Sequence, residues 1–408
     1  MKNKTIISFL ILLLATTIGL WGLPVLVKKA SYSPDDFPFV YYSSGLKEIA
    51  LIDYKNKEFP MSDLAGNQYS TAEFDTLMPL LNYRQLMSDG RLPDSIQGIE
   101  ITPQLLRSKS VVYKYMPRYE DTPNFGLYIL FESMPKRVGL EMPDDVFRMK
   151  NSIEFVDVKT NTINQEKSER FAKELQKRGY TFPTQWAVGN PNIRKPYDEG
   201  YFCLDAKGEL FHMKMVNGRP FVRNTDAGKT VDIASFSILE VPDKRFYGFL
   251  FSKQGETYIL ESTDGKYTPV KLDIPAFNLK KDEMSIIGNL FYWTIFIANE
   301  SGRDYYVLNS EDLKSIDKHH ISKTGSKWDI ASQWLFPYYL TFESSDSDYI
   351  YPRIHFTSFY GFAVNALLAL IGFFVLGRSK RLFNAGFILV FGVAGLIGLF
   401  LLPEYRNK

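Results

Sequence analysis

The chain has 408 residues, a formal net charge of +2, 45% apolar and 15% aromatic residues, and one cysteine, Cys203. A single thiol excludes an intrachain disulfide, a zinc site built on cysteines and an iron–sulfur cluster. The near-neutral balance does not fit a nucleic-acid-binding protein, and the aromatic share favours β structure. The charge is unevenly spread. Outside residues 28–357 stand seven Lys/Arg and one acid, Glu404, which leaves 41 basic and 45 acidic residues inside, a net of −4.

In chain order, the first element is an apolar run at 6–27, uncharged and preceded by Lys2 and Lys4 in the short segment 1–5. At 1.5 Å per residue it can cross a hydrocarbon core about 30 Å thick. It lacks an A-x-A-like cleavage site near Ala30 and is long for the apolar part of a secretory signal, which favours an uncleaved signal anchor over a cleaved peptide.

Residues 28–357 read as a β-rich body. Phe202, Phe249 and Phe296 are 47 residues apart, as are Gly208, Gly255 and Gly302, and Phe211, Tyr258 and Tyr305; Gly218, Gly265 and Asp312 keep the same spacing. Each unit reads as strand, glycine turn, strand, turn and strand, with aromatics facing inward from half-buried strands. Looser units begin at Phe39, at Phe125 (completed from Ile153) and at Tyr338. About six units of this length predict a β-propeller with six or seven blades, its rival being a β-sandwich of similar hairpins. Two helices interrupt the strands. "STAEFDTLMPLLNYRQLMSDG" opens with a Ser70/Glu73 capping box and closes at Gly90, with Pro79 as a kink; "QEKSERFAKELQKRG" runs from Gln165 to Arg178 with Phe171 and Leu175 as its apolar stripe.

No residue earns a catalytic, cofactor or metal role. His212 falls in a strand, His355 precedes the next apolar run, and the adjacent His319 and His320 have no third ligand at metal spacing. "AGKT" at 227–230 fails as a P-loop because Arg223 stands where its first glycine belongs. "SSDSD" at 344–348 reads as a hairpin turn rather than a calcium loop, and Cys203 as a packed thiol. The loop "GNPNIRKPYDEG", 189–200, is the most distinctive non-repetitive stretch. It reads first as a connection between two blades, with Arg194, Lys195, Tyr197, Asp198 and Glu199 as a recognition surface in the alternative.

Two further apolar runs, 358–376 and 382–402, flank a basic loop at 377–381 that holds Arg378, Lys380 and Arg381. Carrying these three across a bilayer costs about 2.5–3.5 kcal/mol each on insertion scales. The loop is therefore expected in the cytoplasm, which places 28–357 and the tail 403–408 outside, in agreement with Lys2 and Lys4. Gly361, Asn365 and Ala369, with Gly392, Gly395 and Gly398, suit close packing of these helices on each other, on the first, or on another membrane protein.

This layout, with stretches such as "DAKGELFHMKMVNG" and "FVDVKTNTI", resembles a family of uncharacterised envelope proteins of Gram-negative anaerobes. Those have an N-terminal anchor, a β-rich extracytoplasmic domain and a C-terminal transmembrane pair, and their genes often lie beside ABC-transporter genes. The resemblance implies a protein of the bacterial cytoplasmic membrane whose main domain faces the periplasm. The expected function is binding or scaffolding as an accessory to a transport or envelope complex. The expected partner is an integral membrane protein, either a transporter permease or a second copy of the chain. The competing class is a membrane-tethered propeller enzyme, a hydrolase or lyase acting on glycans. A sensor is disfavoured because "MKNKT" and "GRSKR" are the whole of the cytoplasmic part.

Overall fold

A computed structural model describes residues 2–58, 60–122, 126–129, 144–192, 195–344, 347–376 and 380–406. The chain divides into two units, a β unit at Phe37–Ile321 and a helical unit made of Met1–Asp36 with Ser322–Lys408.

The helical unit begins with α1, Lys2–Ser31. Hydroxyls of Thr16 and Thr17 donate to the carbonyls of Leu12 and Leu13, at 2.8 and 2.9 Å, so these polar side chains are satisfied within the apolar helix.

In the β unit, β1 (Phe39–Ser43), β2 (Glu48–Ile52) and β3 (Met61–Asp63) form the first antiparallel sheet. Helices α2 (Thr71–Leu77) and α3 (Tyr83–Ser88) follow, a pair where the sequence predicted one kinked helix. The Ser70/Glu73 capping box is present, and the helix stops just before Pro79, whose ring opposes an α conformation in the residue ahead of it. A small hairpin, β4 (Ser95–Ile96) with β5 (Ile99–Glu100), precedes α4 (Pro103–Lys109), β6 (Val111–Tyr115) and the single turn α5 (Pro117–Glu120).

Four meanders come next. β7 (Leu127–Tyr128), β8 (Asp145–Met149), β9 (Ile153–Asp157) and β10 (Thr162–Ile163) make the second sheet. The unit expected from Phe125 lies here, although Phe125 and residues 130–143 are outside the described residues. Helix α6 (Gln165–Lys177) then buries Phe171 and Leu175 completely against Phe155 of β9. β11 (Trp186–Gly189), β12 (Tyr201–Leu204), β13 (Leu210–Val216) and β14 (Arg219–Asn224) make the third sheet. β15 (Ile233–Ile238), β16 (Phe246–Ser252), β17 (Thr257–Thr263) and β18 (Lys266–Lys271) make the fourth. The fifth holds β19 (Glu283–Gly288), β20 (Tyr292–Ala298), β21 (Gly302–Asn309) and β22 (Ser315–Ser322), with β6 antiparallel at the β19 edge.

The 47-residue series lands on matching places in these last three sheets. Leu204 pairs with Leu210, and Phe251 with Thr257; Phe211 pairs with Asn224, and Tyr258 with Lys271. In the fifth sheet the register slips by one, since Ala298 pairs with Arg303. A feature the sequence reading missed shares the spacing. Asp205, Ser252 and Asn299 each turn a side-chain oxygen onto backbone N–H groups of the following hairpin turn, at 2.8–3.2 Å. Such short polar side chains mimic a backbone turn and hold the hairpin.

The strands are more deeply covered than the expectation of half-buried, inward-facing aromatics. All four residues of β12 are buried, because Cys203 and Tyr201 pack towards the second sheet while Phe202 and Leu204 pack towards the fourth. The fourth sheet packs on the fifth through Phe249, Phe251, Met284 and Ile295, and the fifth on the first through Val307, Tyr305, Val40 and Tyr42. None of the sheets closes on itself.

The helical unit resumes with α7 (Lys327–Leu335), the hairpin β23 (Tyr338–Thr341) with β24 (Arg353–Phe356), α8 (Tyr360–Val375), α9 (Arg381–Leu401) and the turn α10 (Pro403–Arg406). The segment from Tyr338, expected as a further β unit, thus belongs with the helices. Among the described residues two helices, not three, are long and apolar enough to span a membrane: Ile6–Ser31 and Arg381–Leu401. The run at 358–376 yields a helix of 16 residues, roughly 24 Å at 1.5 Å per residue. Ser358 is turned out of the helix to accept a hydrogen bond from the Tyr360 amide at 2.8 Å, and Leu376 is already extended.

α8 packs on α9 and α9 on α1, with Asn365, Ala369 and Gly372 buried and Gly398 lying against Thr16 and Leu12. Gly392 breaks α9 with φ 57° and ψ −135°. Two carbonyls of the turn before the break are taken up by side chains: Asn365 Nδ2 donates to Leu389 O at 3.2 Å and Tyr338 Oη to Val390 O at 2.8 Å. A Cβ at position 392 would collide with the Asn365 amide, so a glycine is required there on two counts. Asn365→Leu should lower stability by about 1–2 kcal/mol, seen as a lower melting temperature in detergent. An unchanged melting temperature would mean that the amide does not hold the break.

Candidate functional site

Connections at one end of the third, fourth and fifth sheets carry a buried charged cluster and the walls of a cleft. Loop 189–200 joins β11 to β12, residues 239–245 join β15 to β16, and residues 289–291 join β19 to β20. The first of these links neighbouring strands of one sheet, which corrects the expectation of a blade-to-blade connection.

Loop 189–200 folds inward rather than outward. Lys195 is buried, with its Nζ against Asp198 Oδ1, 3.3 Å from Glu240 Oε1 and 2.8 Å from the Asn190 carbonyl. Glu240 also accepts from Asn190 Nδ2 and from the Glu199 amide, both at 2.7 Å. Burial raises the Glu240 pKa, against the opposing pull of its hydrogen bonds and of Lys195. Lys214 Nζ meets Glu199 Oε2 at 2.6 Å, and the Tyr197 hydroxyl donates to Val241 O at 2.9 Å. Lys195, Tyr197, Asp198 and Glu199 are therefore engaged within the protein, joining the third sheet to the fourth; Arg194 lies outside the described residues.

His212 sits below this cluster, buried and stacked on Phe202 at 4.4 Å. Its Nε2 is 2.6 Å from the Glu199 carbonyl, which can only accept, so Nε2 carries the proton and Nδ1 accepts from the Tyr267 hydroxyl at 2.7 Å. Burial lowers its pKa from 6.5 to about 3.

The next two connections wall a cleft of about 340 Å³. Lys109, at the end of α4, reaches Asp243 at 3.0 Å. Arg245 is held by Glu261 at 2.7 Å and by the carbonyls of Ser310 and Glu311. Asn289 fixes the β19–β20 turn by accepting from the amides of Phe291 and Tyr292, each at 2.9 Å. This turn sets the half-buried Phe291 and Tyr292 along the wall, and the Tyr292 hydroxyl accepts from Gln97 at 2.9 Å. Trp293 forms the floor by lying across Gly288, where any Cβ would stand 2.7 Å from its ring. The lining thus combines aromatic surface with three charges paired within the protein, Lys109, Asp243 and Arg245, and with the exposed Glu311.

The sequence reading missed Glu240, Asp243 and Arg245. The signal available was the 47-residue spacing itself, since Pro196, Asp243 and Leu290 occupy successive connections at that interval. The other candidates lie elsewhere. His320 Nδ1 meets Asp304 at 2.7 Å in the fifth sheet, and His355 Nε2 meets the Thr341 hydroxyl at 2.7 Å in the β23–β24 hairpin. Cys203 is buried in β12 with its thiol pKa pushed up by burial. "AGKT" forms a 3₁₀ turn at Ala227–Lys229, and residues 345–346 of "SSDSD" are outside the described residues. Among the described residues no three His, Cys, Asp or Glu side chains gather at ligand spacing.

The model of one protein family, described as a domain of unknown function (DUF4857), matches residues 39–308, which is most of the β unit and well over half of the chain. The chain belongs to the DUF4857 family. The DUF4857 match includes Lys195, His212, Glu240 and the cleft residues up to Trp293. No curated protein matches the chain. Among solved structures it is similar to PorZ, a bacterial surface component of the type-IX secretion system of Porphyromonas gingivalis, at 10% identity and TM-score 0.21, over 72% of this chain and 28% of that one. It is also similar to the dihydro-heme d1 dehydrogenase NirN, at 13% identity and TM-score 0.19, over 66% of this chain and 68% of that one. The DUF4857 chain therefore spans under a third of the length of the PorZ chain.

Proposed function

We propose that the protein is a membrane-anchored binding or scaffold protein, an accessory component of a transport complex of the ABC type or of an envelope complex. Its β unit is read as propeller-like and facing the periplasm, held at the cytoplasmic membrane by α1 and the C-terminal helices. The propeller-like reading is supported by consecutive four-stranded meanders that pack face to face and share a 47-residue spacing. The sidedness is supported by Lys2, Lys4, Lys380 and Arg381 at the ends assigned to the cytoplasm; Arg378 lies outside the described residues.

The observation that carries the binding role is the cleft. Phe291 and Tyr292 offer aromatic surface, and Lys109, Asp243 and Arg245 are fixed by protein partners in one geometry. Such a lining suits recognition of a surface by packing and hydrogen bonding. A glycan hydrolase works with a pair of carboxyls free to act as acid and base, whereas of the two on this lining, Asp243 and Glu311, the first is engaged by Lys109 and by the Arg245 amide. The test is purification from solubilised membranes with identification of bound proteins, for the unaltered chain and for Phe291→Ala. The expected result is a membrane protein in stoichiometric amount that Phe291→Ala loses. Recovery of the chain free of partners, or equal retention by the variant, overturns the role assigned to the cleft.

A further inference from the structure

α7 and the β23–β24 hairpin carry large apolar side chains on their open faces: Ile330, Trp334, Ile350, Ile354, Phe356 and Phe359 are 48–79% exposed. On β24 the usual pattern is inverted. Ile354 and Phe356 point outward, while His355 turns in to the Thr341 hydroxyl and stacks on Tyr339 at 5.3 Å. A strand facing water places its polar residues outward.

This face continues directly into the apolar surface of the membrane helices. Trp334 of α7 stacks on Tyr360, the first residue of α8, at 5.2 Å, and Phe356 meets Phe359 at 5.0 Å. At roughly 24 Å, α8 falls short of a hydrocarbon core of about 30 Å. The apolar face of β24 and Phe359 extends it at the end where it is short. Trp and Tyr at this junction match the aromatic belt of membrane–water interfaces, and the exposed Asp329 and Gln333, one turn apart, give α7 a polar side as well.

We infer that α7 and the β23–β24 hairpin form a collar embedded in the interfacial layer of the lipid bilayer, completing the short span of α8. The inference rests on the anchoring part of the proposed function and not on the cleft.

The test uses spin labels on single introduced cysteines, since Cys203 is buried. The full chain is reconstituted in phosphatidylcholine–phosphatidylglycerol vesicles with labels at Ile330→Cys and Ile354→Cys. Leu389→Cys on the outer face of α9 is the lipid reference and Tyr54→Cys, on an exposed turn, the aqueous one. The readout is accessibility to oxygen relative to a water-soluble nickel complex. The expected ratio at both collar positions is several-fold above that of Tyr54→Cys and approaches that of Leu389→Cys. Free access of the nickel complex overturns the inference, as does shielding from both reagents, which marks a protein rather than lipid as the occupant. If the Leu389→Cys label itself behaves as aqueous, the anchoring falls together with the collar.

Discussion

Lys195→Met should destabilise the β unit by about 3–5 kcal/mol, the usual effect of removing one partner from a buried ion pair. The Lys195, Asp198 and Glu240 side chains are 5%, 4% and 1% exposed, so water cannot replace the ammonium. Met keeps the length and apolar stem of Lys and leaves two carboxylates facing one another without a cation. Glu240 already has a raised pKa from burial, and loss of Lys195 removes one of the influences holding it down. The check is urea unfolding followed by tryptophan fluorescence. Adding Glu240→Gln to the variant should recover part of the loss, because it removes the unpaired charge while the amide oxygen still accepts from the Glu199 N–H. If Lys195→Met unfolds at the same midpoint as the unaltered chain, the cluster contributes nothing to holding the third sheet to the fourth.

Acid should weaken the same region through His212. Its folded pKa, about 3, lies below the unfolded 6.5, so between these values the unfolded chain binds a proton that the folded chain refuses. The stabilisation is fully present above pH 6.5 and is lost as pH falls towards 3. The loss is about 2 kcal/mol at pH 5 and grows to about 4–5 kcal/mol near pH 3, at 1.36 kcal/mol per unit. Protonation at Nδ1 would turn the acceptor of the Tyr267 hydroxyl into a donor, inside a pocket closed by Phe202. Lys214 adds repulsion, whereas Glu199 Oε2, 3.6 Å from Nε2, attracts the charged ring. Glu240 has the opposite sign. Its raised pKa favours the fold at low pH and offsets part of the loss once the carboxylate range is reached. Denaturation midpoints at pH 7, 6 and 5 should therefore fall for the unaltered chain and stay flatter for His212→Gln. Equal slopes would assign the acid sensitivity to other groups.

Features fixed by local chemistry were legible in the residues. The Ser70/Glu73 cap and the α6 stripe of Phe171 and Leu175 follow from interactions spanning three or four positions. The 47-residue spacing located three sheets, because each is a meander of sequential hairpins. What escaped depends on covering layers that no local pattern encodes. β12 and β16 are buried on both faces, so a period of two could not mark which residues face which neighbour. Loop 189–200 gave no sign of its buried ion pairs, because Glu240, the second partner of Lys195, comes from a connection of the next sheet. The cleft was invisible for a similar reason, as Lys109 and Asp243 are 134 residues apart. The length of α8 turned on one serine folding back on the helix start.

The pairing of β6 with β19 also sets the order in which the protein can be completed. Residues 111–115 leave the ribosome long before their partners at 284–288. Until those arrive, β6 lacks its strand partner, although Phe249 and Phe251 of the fourth sheet can already pack on Tyr113 and Tyr115, and the strand presents an open edge of the kind that invites pairing between chains. A premature stop between the fourth and fifth sheets would leave that edge without its partner permanently.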